Sequence, residues 1–257
     1  MIGKVLQAGA VRTVLITGGA RRLGAVIARR LAADGHRVIV HYQRSGDEAK
    51  RLAKAIGAVS VAGDLADTAA IGDLFARARE AIGAPIDSLV NSASEFEYDV
   101  PPQLDPALLG RLYAIGHSAP VLLASALARQ GDVSDGAVIN ILDQKVANLN
   151  PDFFAYTAGK IALAGATTML AQALGPRVRV NAVAPGLTLP SGDQTEEEFC
   201  AVAAENLLRR PTEPKDVADA VAFLLTAGGV NGQTLFVDGG QRFLPRARDV
   251  MFERTRG

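Results

Sequence analysis

The chain contains 257 residues, of which 49% are hydrophobic, and it carries no formal net charge at pH 7. This length and apolar content suffice to bury one large core. A balanced charge gives no electrostatic reason to expect a nucleic-acid partner, and apolar stretches of only strand length argue against a membrane span. Cys200 is the only cysteine, which excludes an internal disulfide and is consistent with a reducing compartment, so we expect a cytoplasmic location.

Short apolar runs alternate with amphipathic helical stretches, a pattern typical of a parallel sheet with helices on both faces. The runs predict seven strands, centred near residues 14, 39, 60, 90, 139, 180 and 236. We assign one domain to residues 11–245, preceded by an extension of residues 1–10 and followed by a tail of residues 246–257. The tail is rich in arginine, and its simplest interpretation is a solvated segment.

The first two predicted strands flank a glycine-rich turn. An apolar run at residues 14–16 leads into Thr-Gly-Gly-Ala-Arg-Arg-Leu-Gly at residues 17–24, and an amphipathic helix follows as far as Gly35. In such a unit, backbone N–H groups at the helix start can approach a pyrophosphate, which the helix dipole also favours. The unit predicts a dinucleotide site, and a tight turn without a ligand is the alternative.

The end of the second strand indicates which dinucleotide binds. NAD sites of this kind usually carry an acidic residue there, which accepts from a ribose hydroxyl. No Asp or Glu occurs between Gly35 and Ser45; Arg44 stands at that place, and Arg22 of the glycine turn can reach the same corner. Two guanidinium groups and the Ser45 hydroxyl suit a 2′-phosphate, so we predict NADPH as cofactor. The alternative is that Arg44 begins a solvated loop.

Tyr156 and Lys160 lie four residues apart in a stretch whose small and apolar residues have helical spacing, so they are expected to share one helix face. An ammonium group one turn from a phenol favours the phenolate, so we expect Lys160 to lower the pKa of Tyr156. A tyrosine of this kind can exchange a proton with a carbonyl or an imine. Asp143 lies thirteen residues upstream of the tyrosine. The alternative is a chance pair on a solvated face.

Together these residues resemble the short-chain dehydrogenase/reductase family, whose nucleotide turn reads TGxxxGxG and whose catalytic motif reads YxxxK. The resemblance covers residues 11–240 and includes further matches at Asp64-Leu65, Asn91-Ser92-Ala93, Asn140, Pro185-Gly186 and residues 237–240. It implies a single Rossmann-type, doubly wound, seven-stranded parallel sheet. It also implies a homotetramer, and a mobile substrate lid formed by residues 191–208.

The resemblance assigns catalysis to Asp143, Tyr156 and Lys160, and it gives Lys160 a second role in holding the nicotinamide ribose. It implies a larger set of cofactor-binding residues along the carboxyl ends of the strands. These are Thr17, Gly18, Arg21, Arg22, Leu23, Gly24, Tyr42, Gln43, Arg44, Ser45, Asp64, Leu65, Asn91, Ser92, Ala93, Lys160, Pro185, Gly186, Leu187 and Thr188.

Three departures from the common family pattern resemble the pteridine reductase branch, which includes bacterial dihydromonapterin and dihydrofolate reductases. Arg22 replaces the middle glycine of the turn, Asp143 replaces the usual serine, and residues 91–96 read Asn-Ser-Ala-Ser-Glu-Phe. Residues 41–45 look like the HYxRS run of that branch. This branch implies that Ser94 lies near the cofactor phosphates or the substrate. It also implies that Phe96 stacks a flat heterocycle against the nicotinamide.

Several of these residues have alternative interpretations. An ionised aspartate only accepts hydrogen bonds, whereas a carboxyl group can pass a proton with Tyr156 to a ring nitrogen; a structural cap of a turn is the alternative for Asp143. A packed loop aromatic is the alternative for Phe96. Gly116, with His117 beside it, stands where the family carries a relay asparagine. The relay then runs through Asp143, or His117 substitutes, or the histidine only packs between helices.

The sequence thus predicts an NADPH-dependent reductase of a small molecule, namely a pteridine such as a dihydropterin or a dihydrofolate. One rival is a reductase of a ketone or of a carrier-bound 3-oxoacyl chain. A rival from another class is a catalytically idle NADP-binding sensor or interaction protein, which a fold alone does not exclude. The three histidines are scattered along the chain, so we expect no metal site.

Overall fold

The computed structural model describes residues 11–190 and 195–253, which build one seven-stranded sheet. Its strands are β1 (Thr13–Thr17), β2 (Arg37–Tyr42), β3 (Val59–Ala62), β4 (Ser88–Asn91), β5 (Gly136–Ile141), β6 (Val178–Pro185) and β7 (Thr234–Val237). All neighbours pair in parallel, in the order β3-β2-β1-β4-β5-β6-β7. Each strand contains its predicted centre, so the predicted Rossmann-type sheet is confirmed.

Helices cover both faces of this sheet. They are α1 (Arg22–Ala33), α2 (Gly46–Ile56), α3 (Ile71–Ile82), α4 (Pro106–Tyr113), α5 (Ala119–Arg129), α6 (Phe154–Leu174), α7 (Glu196–Ala203), α8 (Pro214–Thr226) and α9 (Val250–Glu253). Shorter turns of 3-10 helix occupy Thr68–Ala70, Gln144–Ala147 and Gln241–Phe243. One core contains residues of α1, α2 and α8, and a second core on the other face contains residues of α3, α5 and α6.

The strands are unbroken apolar runs in the sequence because both faces of the sheet are buried. Side chains along a strand alternate between the two faces of a sheet. Ile16 accordingly packs in the core that contains α1 and α8, whereas Leu15 packs in the core that contains α3 and α5. Both side chains are completely buried. A parallel sheet covered on both faces therefore needs apolar residues at every position of its central strands.

A single helical segment, Pro106–Arg129, joins α4 and α5 through a π-helical turn at Ala114–Ser118. Within the described part of the chain it is the one helix long and apolar enough to cross a membrane, so the expectation that apolar stretches are only of strand length is wrong. Core helices of globular proteins meet the same criterion. Here Ala119, Leu123 and Leu127 are completely buried in the core beneath the sheet, so the segment packs as a core helix.

The sheet changes its direction of winding between β1 and β4. From β1 the chain continues to β2 on one side, and from β4 it continues to β5 on the other side. At such a switch point the connecting loops separate and leave a crevice at the carboxyl ends of the strands. Thr17 ends β1 and Asn91 ends β4 at this place, which locates the site.

Candidate active site

A cleft of about 540 Å³ opens at the carboxyl ends of the central strands. Its walls contain nearly all the residues that the sequence predicted for cofactor, substrate and catalysis. Those are Gly18, Arg21, Arg22, Leu23, Gly24, Tyr42, Gln43, Arg44, Ser45, Asp64, Leu65, Ser92, Ala93, Ser94, Phe96, Asp143, Tyr156, Lys160, Pro185, Gly186, Leu187 and Thr188.

Thr17 and Asn91 do not line the cleft, and their predicted contact with the cofactor stays a prediction. Thr17 Oγ1 accepts the backbone N–H groups of Ser92 and Ala93 at 3.0 and 3.1 Å. Asn91 Nδ2 donates to Asn140 Oδ1 at 2.8 Å. Both side chains are buried. Both side chains hold neighbouring strand ends together at the edge of the cleft.

Asp143, Tyr156 and Lys160 meet at the floor of the cleft. The Tyr156 hydroxyl donates to Asp143 Oδ2 at 2.9 Å. As predicted, α6 places Lys160 on the same face as Tyr156, with its Nζ atom 5.5 Å from the ring centroid. That Nζ atom donates to the carbonyl of Ile141, the last residue of β5, at 2.7 Å. The Tyr156–Lys160 pair is therefore anchored to the sheet.

The Asp143 carboxylate has two functions at once. Its Oδ1 atom accepts the backbone N–H of Lys145 at 2.8 Å and so caps the 3-10 turn Gln144–Ala147. Its Oδ2 atom receives the Tyr156 hydroxyl. The capping role is therefore found, and the cap fixes the carboxylate in the orientation that reaches the phenol; proton transfer through Asp143 stays a prediction.

Burial governs protonation at this floor. Burial, reinforced by the charge of Asp143, raises the pKa of Tyr156 well above its ordinary value, so the predicted lowering by Lys160 is not found. Burial also raises the pKa of Asp143, against the hydrogen bonds that it accepts from the Lys145 N–H and the Tyr156 hydroxyl. Burial lowers the pKa of Lys160 to about 8. Tyr156 therefore carries its proton and can donate it.

The glycine turn is packed too tightly to accept side chains at its ends. A Cβ atom at Gly24 would lie 2.2 Å from the carbonyl oxygen of Gly18, and one at Gly18 (φ +61°) would lie 2.8 Å from the Cα of Ala93. Within the described chain, no side chain caps the start of α1 and its first turn contains no acidic residue. The turn thus leaves backbone N–H groups for an anion, which fits the pyrophosphate of a dinucleotide.

Arg22 points away from the predicted 2′-phosphate corner. It adopts a left-handed backbone conformation (φ 50°), and its guanidinium donates to the carbonyl of Pro190 at 2.6 Å. Pro190 follows β6, which lies on the opposite side of β1 from β2. Arg44 and Ser45 line the cleft after β2, where the 2′-phosphate is predicted to bind.

Phe96 lies directly beside the catalytic phenol. Its ring meets the Tyr156 ring edge to face, with centroids 4.9 Å apart, and it stacks on Phe153 at 3.9 Å. The residue remains 42% exposed and lines the cleft together with Ser94. The ring is therefore packed against other aromatic side chains and still open to the cleft, and its stacking on a flat heterocycle stays a prediction.

His117 does not line the cleft, and neither does Gly116. The His117 ring lies 4.6 Å from the Tyr113 ring, centroid to centroid, and burial lowers its pKa. This position favours the helix-packing role for the histidine. Among the described residues, no group of three or more His, Cys, Asp or Glu side chains could hold a metal ion.

The cleft also contains residues that the sequence did not single out. Four of them come from the end of the chain, in the tail interpreted above as solvated: Arg246, Asp249, Val250 and Met251. Asp249 and Val250 are only 8% and 5% exposed, so that interpretation is wrong for this part of the tail. No motif marks these positions, because their burial depends on a late segment folding back onto the site. The other additions are Ala20, His41, Glu95, Ile115, Ile141, Leu142, Gln144, Lys145, Asn148, Asn150, Leu189 and Gln241.

The predicted lid, residues 191–208, begins outside the described residues, which omit 191–194. Its described part contains α7, and Phe199 and Val202 on that helix are buried. The helix therefore packs onto the protein in this structure. Its movement during turnover stays a prediction.

Comparison with known proteins gives matches over almost the whole chain. A sequence model described as enoyl-(acyl carrier protein) reductase matches residues 18–242. Dihydromonapterin reductase of Enterobacter sp. (strain 638) is 30% identical, over 90% of this chain and 96% of that protein. A chloroplastic NADPH-dependent aldehyde reductase-like protein of Arabidopsis thaliana is also 30% identical, over 89% and 93%. The solved structure of FolM alternative dihydrofolate reductase 1 from Brucella canis, complexed with NADP, gives a TM-score of 0.88 at 40% identity, covering 94% of this chain and 98% of that chain.

The match to the family model includes most of the glycine turn, the Tyr156–Lys160 pair and the segment after β7. The structural match extends the agreement to the order and packing of the whole sheet. Sequence and structure therefore agree at the level of residues and of topology. The chain belongs to the short-chain dehydrogenase/reductase family of oxidoreductases, in its pteridine reductase-like branch.

Proposed function

We propose that this chain is an NADPH-dependent reductase of a pteridine, such as a dihydropterin or a dihydrofolate. The observation that carries the proposal is the hydrogen bond of 2.9 Å between the Tyr156 hydroxyl and the Asp143 carboxylate in the cleft. A pterin offers a reducible C=N bond, a ring nitrogen that takes a proton, and N–H donors that a carboxylate can accept. A small ketone gains more from a hydroxyl donor, which Asp143 does not supply when ionised.

Two relatives support this substrate class by their names, dihydromonapterin reductase and FolM alternative dihydrofolate reductase 1. The aldehyde reductase-like relative favours a carbonyl substrate as the second candidate. Tyr156 and Lys160 suit either reaction, because a protonated phenol can serve a carbonyl oxygen as well as a ring nitrogen. Asp143 and Phe96 are the residues that distinguish the two.

NADPH as the cofactor is supported by the residues around the cleft. The glycine turn and the start of α1 would hold the pyrophosphate, and Arg44 with Ser45 would hold the 2′-phosphate. No acidic residue occurs between Gly35 and Ser45 to favour NADH. When bound, NADPH supplies the hydride that reduces the substrate.

The chain's own residues manage the proton. Burial keeps Tyr156 protonated, so its hydroxyl can donate to a substrate atom that becomes basic during reduction. Asp143 accepts from this hydroxyl when ionised, and because burial raises its pKa it can take up a proton from solvent and pass that proton to Tyr156 after the phenol has donated its own. Phe96 covers the phenol on one side and presents a flat ring to the cleft, which suits a planar substrate.

The test is a spectrophotometric assay of NADPH oxidation with dihydrobiopterin, dihydromonapterin, dihydrofolate and a panel of small ketones. The unaltered protein is expected to turn over at least one pteridine more efficiently than any ketone. Asp143→Asn keeps an oxygen that can cap the 3-10 turn but loses the acid, so its pteridine turnover should fall. Pteridine turnover should also fall in Asp143→Ser, and this variant should reduce ketones faster than the unaltered protein. Ketone turnover without pteridine turnover, or unchanged pteridine turnover in both variants, would overturn the proposal.

We also infer that the working assembly is a homotetramer, located in the cytoplasm. Large apolar side chains are exposed on the outer faces of α4, α5 and α6, and Met169 on α6 is 69% exposed. Apolar side chains exposed on neighbouring helices are a feature of surfaces that pack against another subunit. The single cysteine, Cys200, is consistent with a reducing compartment. Light scattering should give four times the 26.8 kDa chain mass, and a monomer would contradict the assembly.

A further inference from the structure

Lys145, two residues after Asp143, is a lysine that is only 4% exposed. Its ammonium donates to Asp249 Oδ2 at 3.0 Å, to Asn150 Oδ1 at 3.0 Å and to the carbonyl oxygen of Asp152 at 2.8 Å. An ammonium group has three N–H donors, so these acceptors satisfy it fully. A buried lysine with a complete set of fixed partners holds those partners in place.

Its charged partner belongs to the C-terminal segment, which we define as residues 244–252. Within this segment the Asp249 N–H donates to Asp152 Oδ2 at 2.7 Å, and Arg248 Nε donates to the same oxygen at 2.7 Å. Asn148 Nδ2 donates to the carbonyl of Leu244 at 2.9 Å. The C-terminal segment is thus tied at several points to the loop between β5 and α6.

The same lysine also contacts the catalytic carboxylate. The Lys145 backbone N–H donates to Asp143 Oδ1 at 2.8 Å, and the other oxygen of that carboxylate receives the catalytic phenol. Asp249, Val250 and Met251 of the C-terminal segment line the cleft. One residue therefore holds the catalytic carboxylate with its backbone and a wall of the cleft with its side chain.

We propose that Lys145 is a positioning residue, which fixes the C-terminal segment as a wall of the substrate pocket beside Tyr156. The inference rests on the proposed function only in that a substrate binds in this part of the cleft; it does not depend on whether that substrate is a pteridine. The glycine turn and Arg44 bind the cofactor from other elements. Loss of the lysine charge therefore weakens substrate binding and leaves NADPH binding intact.

The first experiment compares Lys145→Met with Lys145→Arg, which keeps the positive charge. Lys145→Met should raise KM for the best substrate on the order of tenfold to a hundredfold, with NADPH affinity unchanged, because the pocket wall is displaced. Lys145→Arg should recover much of the loss. Lys215→Met is the matched control, because Lys215 also pairs with an aspartate, Asp219, but on the exposed surface of α8. It should behave as the unaltered protein.

The second readout is independent of turnover. Arg246 and Arg248 are trypsin sites within the C-terminal segment. Limited trypsin digestion of the NADPH-bound protein, followed by mass spectrometry, should show faster cleavage at both sites in Lys145→Met than in the unaltered protein or in Lys215→Met. If Lys145→Met does not fold, Asp249→Asn breaks the same ion pair and leaves the lysine its two neutral acceptors, and the same two results are expected.

A folded variant, Lys145→Met or Asp249→Asn, with unaltered KM and an unaltered cleavage rate would overturn the inference. A fall in NADPH affinity as large as the rise in KM would overturn it too, since it would indicate general damage. Failure of the proposed function gives a different result. In that case the unaltered protein reduces no pteridine, while the KM comparison with a ketone substrate and the trypsin comparison still decide the role of Lys145.

Discussion

At the scale of single residues, Tyr156 shows how burial changes the behaviour that sequence spacing predicts. The spacing correctly places Lys160 on the same helix face, but the ammonium turns to the Ile141 carbonyl and stands 5.5 Å from the ring centroid. Burial and the neighbouring Asp143 then raise the pKa of the phenol. The site therefore presents an acid that keeps its proton, as the reducing direction requires.

Replacing Tyr156 with Phe should remove the proton donor without changing the shape of the cleft. We expect kcat to fall roughly 10²- to 10⁴-fold, the usual contribution of a positioned acid. NADPH affinity should stay near that of the unaltered protein, since the hydroxyl bonds to Asp143 and not to the glycine turn. Steady-state kinetics and a fluorescence titration of NADPH measure the two quantities. Retention of most of the activity would show that another group donates the proton.

Arg44 is the residue that should decide between the two nicotinamide dinucleotides. The unaltered protein should bind NADPH more tightly than NADH by at least about tenfold, because a guanidinium makes charge-assisted bonds to the 2′-phosphate. Arg44→Asp should erode or reverse this preference, since a carboxylate repels the phosphate and accepts from a free ribose hydroxyl. Titration of both cofactors measures the ratio. Equal affinities in the unaltered protein would contradict this assignment.

At the scale of elements, the glycine turn depends on close backbone packing. A Cβ atom at Gly24 would lie 2.2 Å from the Gly18 carbonyl oxygen, a backbone atom that no side-chain movement can relieve. Gly24→Ala should therefore displace the turn and sharply weaken NADPH binding. Gly72→Ala is the matched control, because a Cβ at that position on α3 meets nothing within 4 Å.

The control variant Gly72→Ala is expected to be slightly more stable than the unaltered protein. Alanine stabilises a helix by about 0.5–1 kcal/mol relative to glycine. Gly72→Ala should therefore raise the free energy of unfolding slightly and leave NADPH binding unchanged. Urea unfolding and cofactor titration of both variants give the comparison. Equal NADPH affinity in Gly24→Ala and the unaltered protein would mean that the turn can relax, and that its close packing is not required for the cofactor.

The elements were predictable because their signals are local. Each strand is a short apolar run between turn residues. Because a helical stretch separates one run from the next, the strands are expected to be parallel. The side-chain directions at the site were less predictable. Arg22 was expected at the phosphate corner, yet it donates to Pro190, a partner 168 residues away. Its sequence neighbours contain no information about that contact.

At the scale of the whole molecule, the wall formed by the C-terminal segment was not predictable from the sequence. The Lys145–Asp249 pair joins residues 104 positions apart, and neither residue belongs to a motif. An arginine-rich tail usually indicates a solvated segment, whereas here the chain folds back and buries Asp249 against the loop between β5 and α6. Contacts of this kind depend on the completed topology.

His41 links the folding equilibrium of the whole molecule to pH. Burial lowers its pKa to about 4, and its ring joins two loops: Nδ1 accepts the Gly18 N–H at 3.2 Å and Nε2 lies 3.2 Å from the Gly63 carbonyl. In the unfolded chain a histidine titrates near pH ~6.5. Between pH ~6.5 and about 4 the unfolded chain therefore binds a proton that the folded chain does not.

This difference predicts that the free energy of unfolding falls as the pH is lowered through that window. The contribution of His41 is about 3 kcal/mol in total, and it adds nothing further once both states are protonated. Asp143 has the opposite sign, because its raised pKa lets the folded chain take up a proton first. The prediction therefore concerns the difference between two chains that share Asp143. His41→Asn keeps a polar side chain of similar size that does not titrate, so urea unfolding at constant ionic strength from pH 7 to pH 4 should give a shallower slope for the variant. Parallel curves for the two chains would show that His41 takes up its proton as readily in the folded chain as in the unfolded chain, and that the hydrogen bond from the Gly18 N–H does not resist protonation.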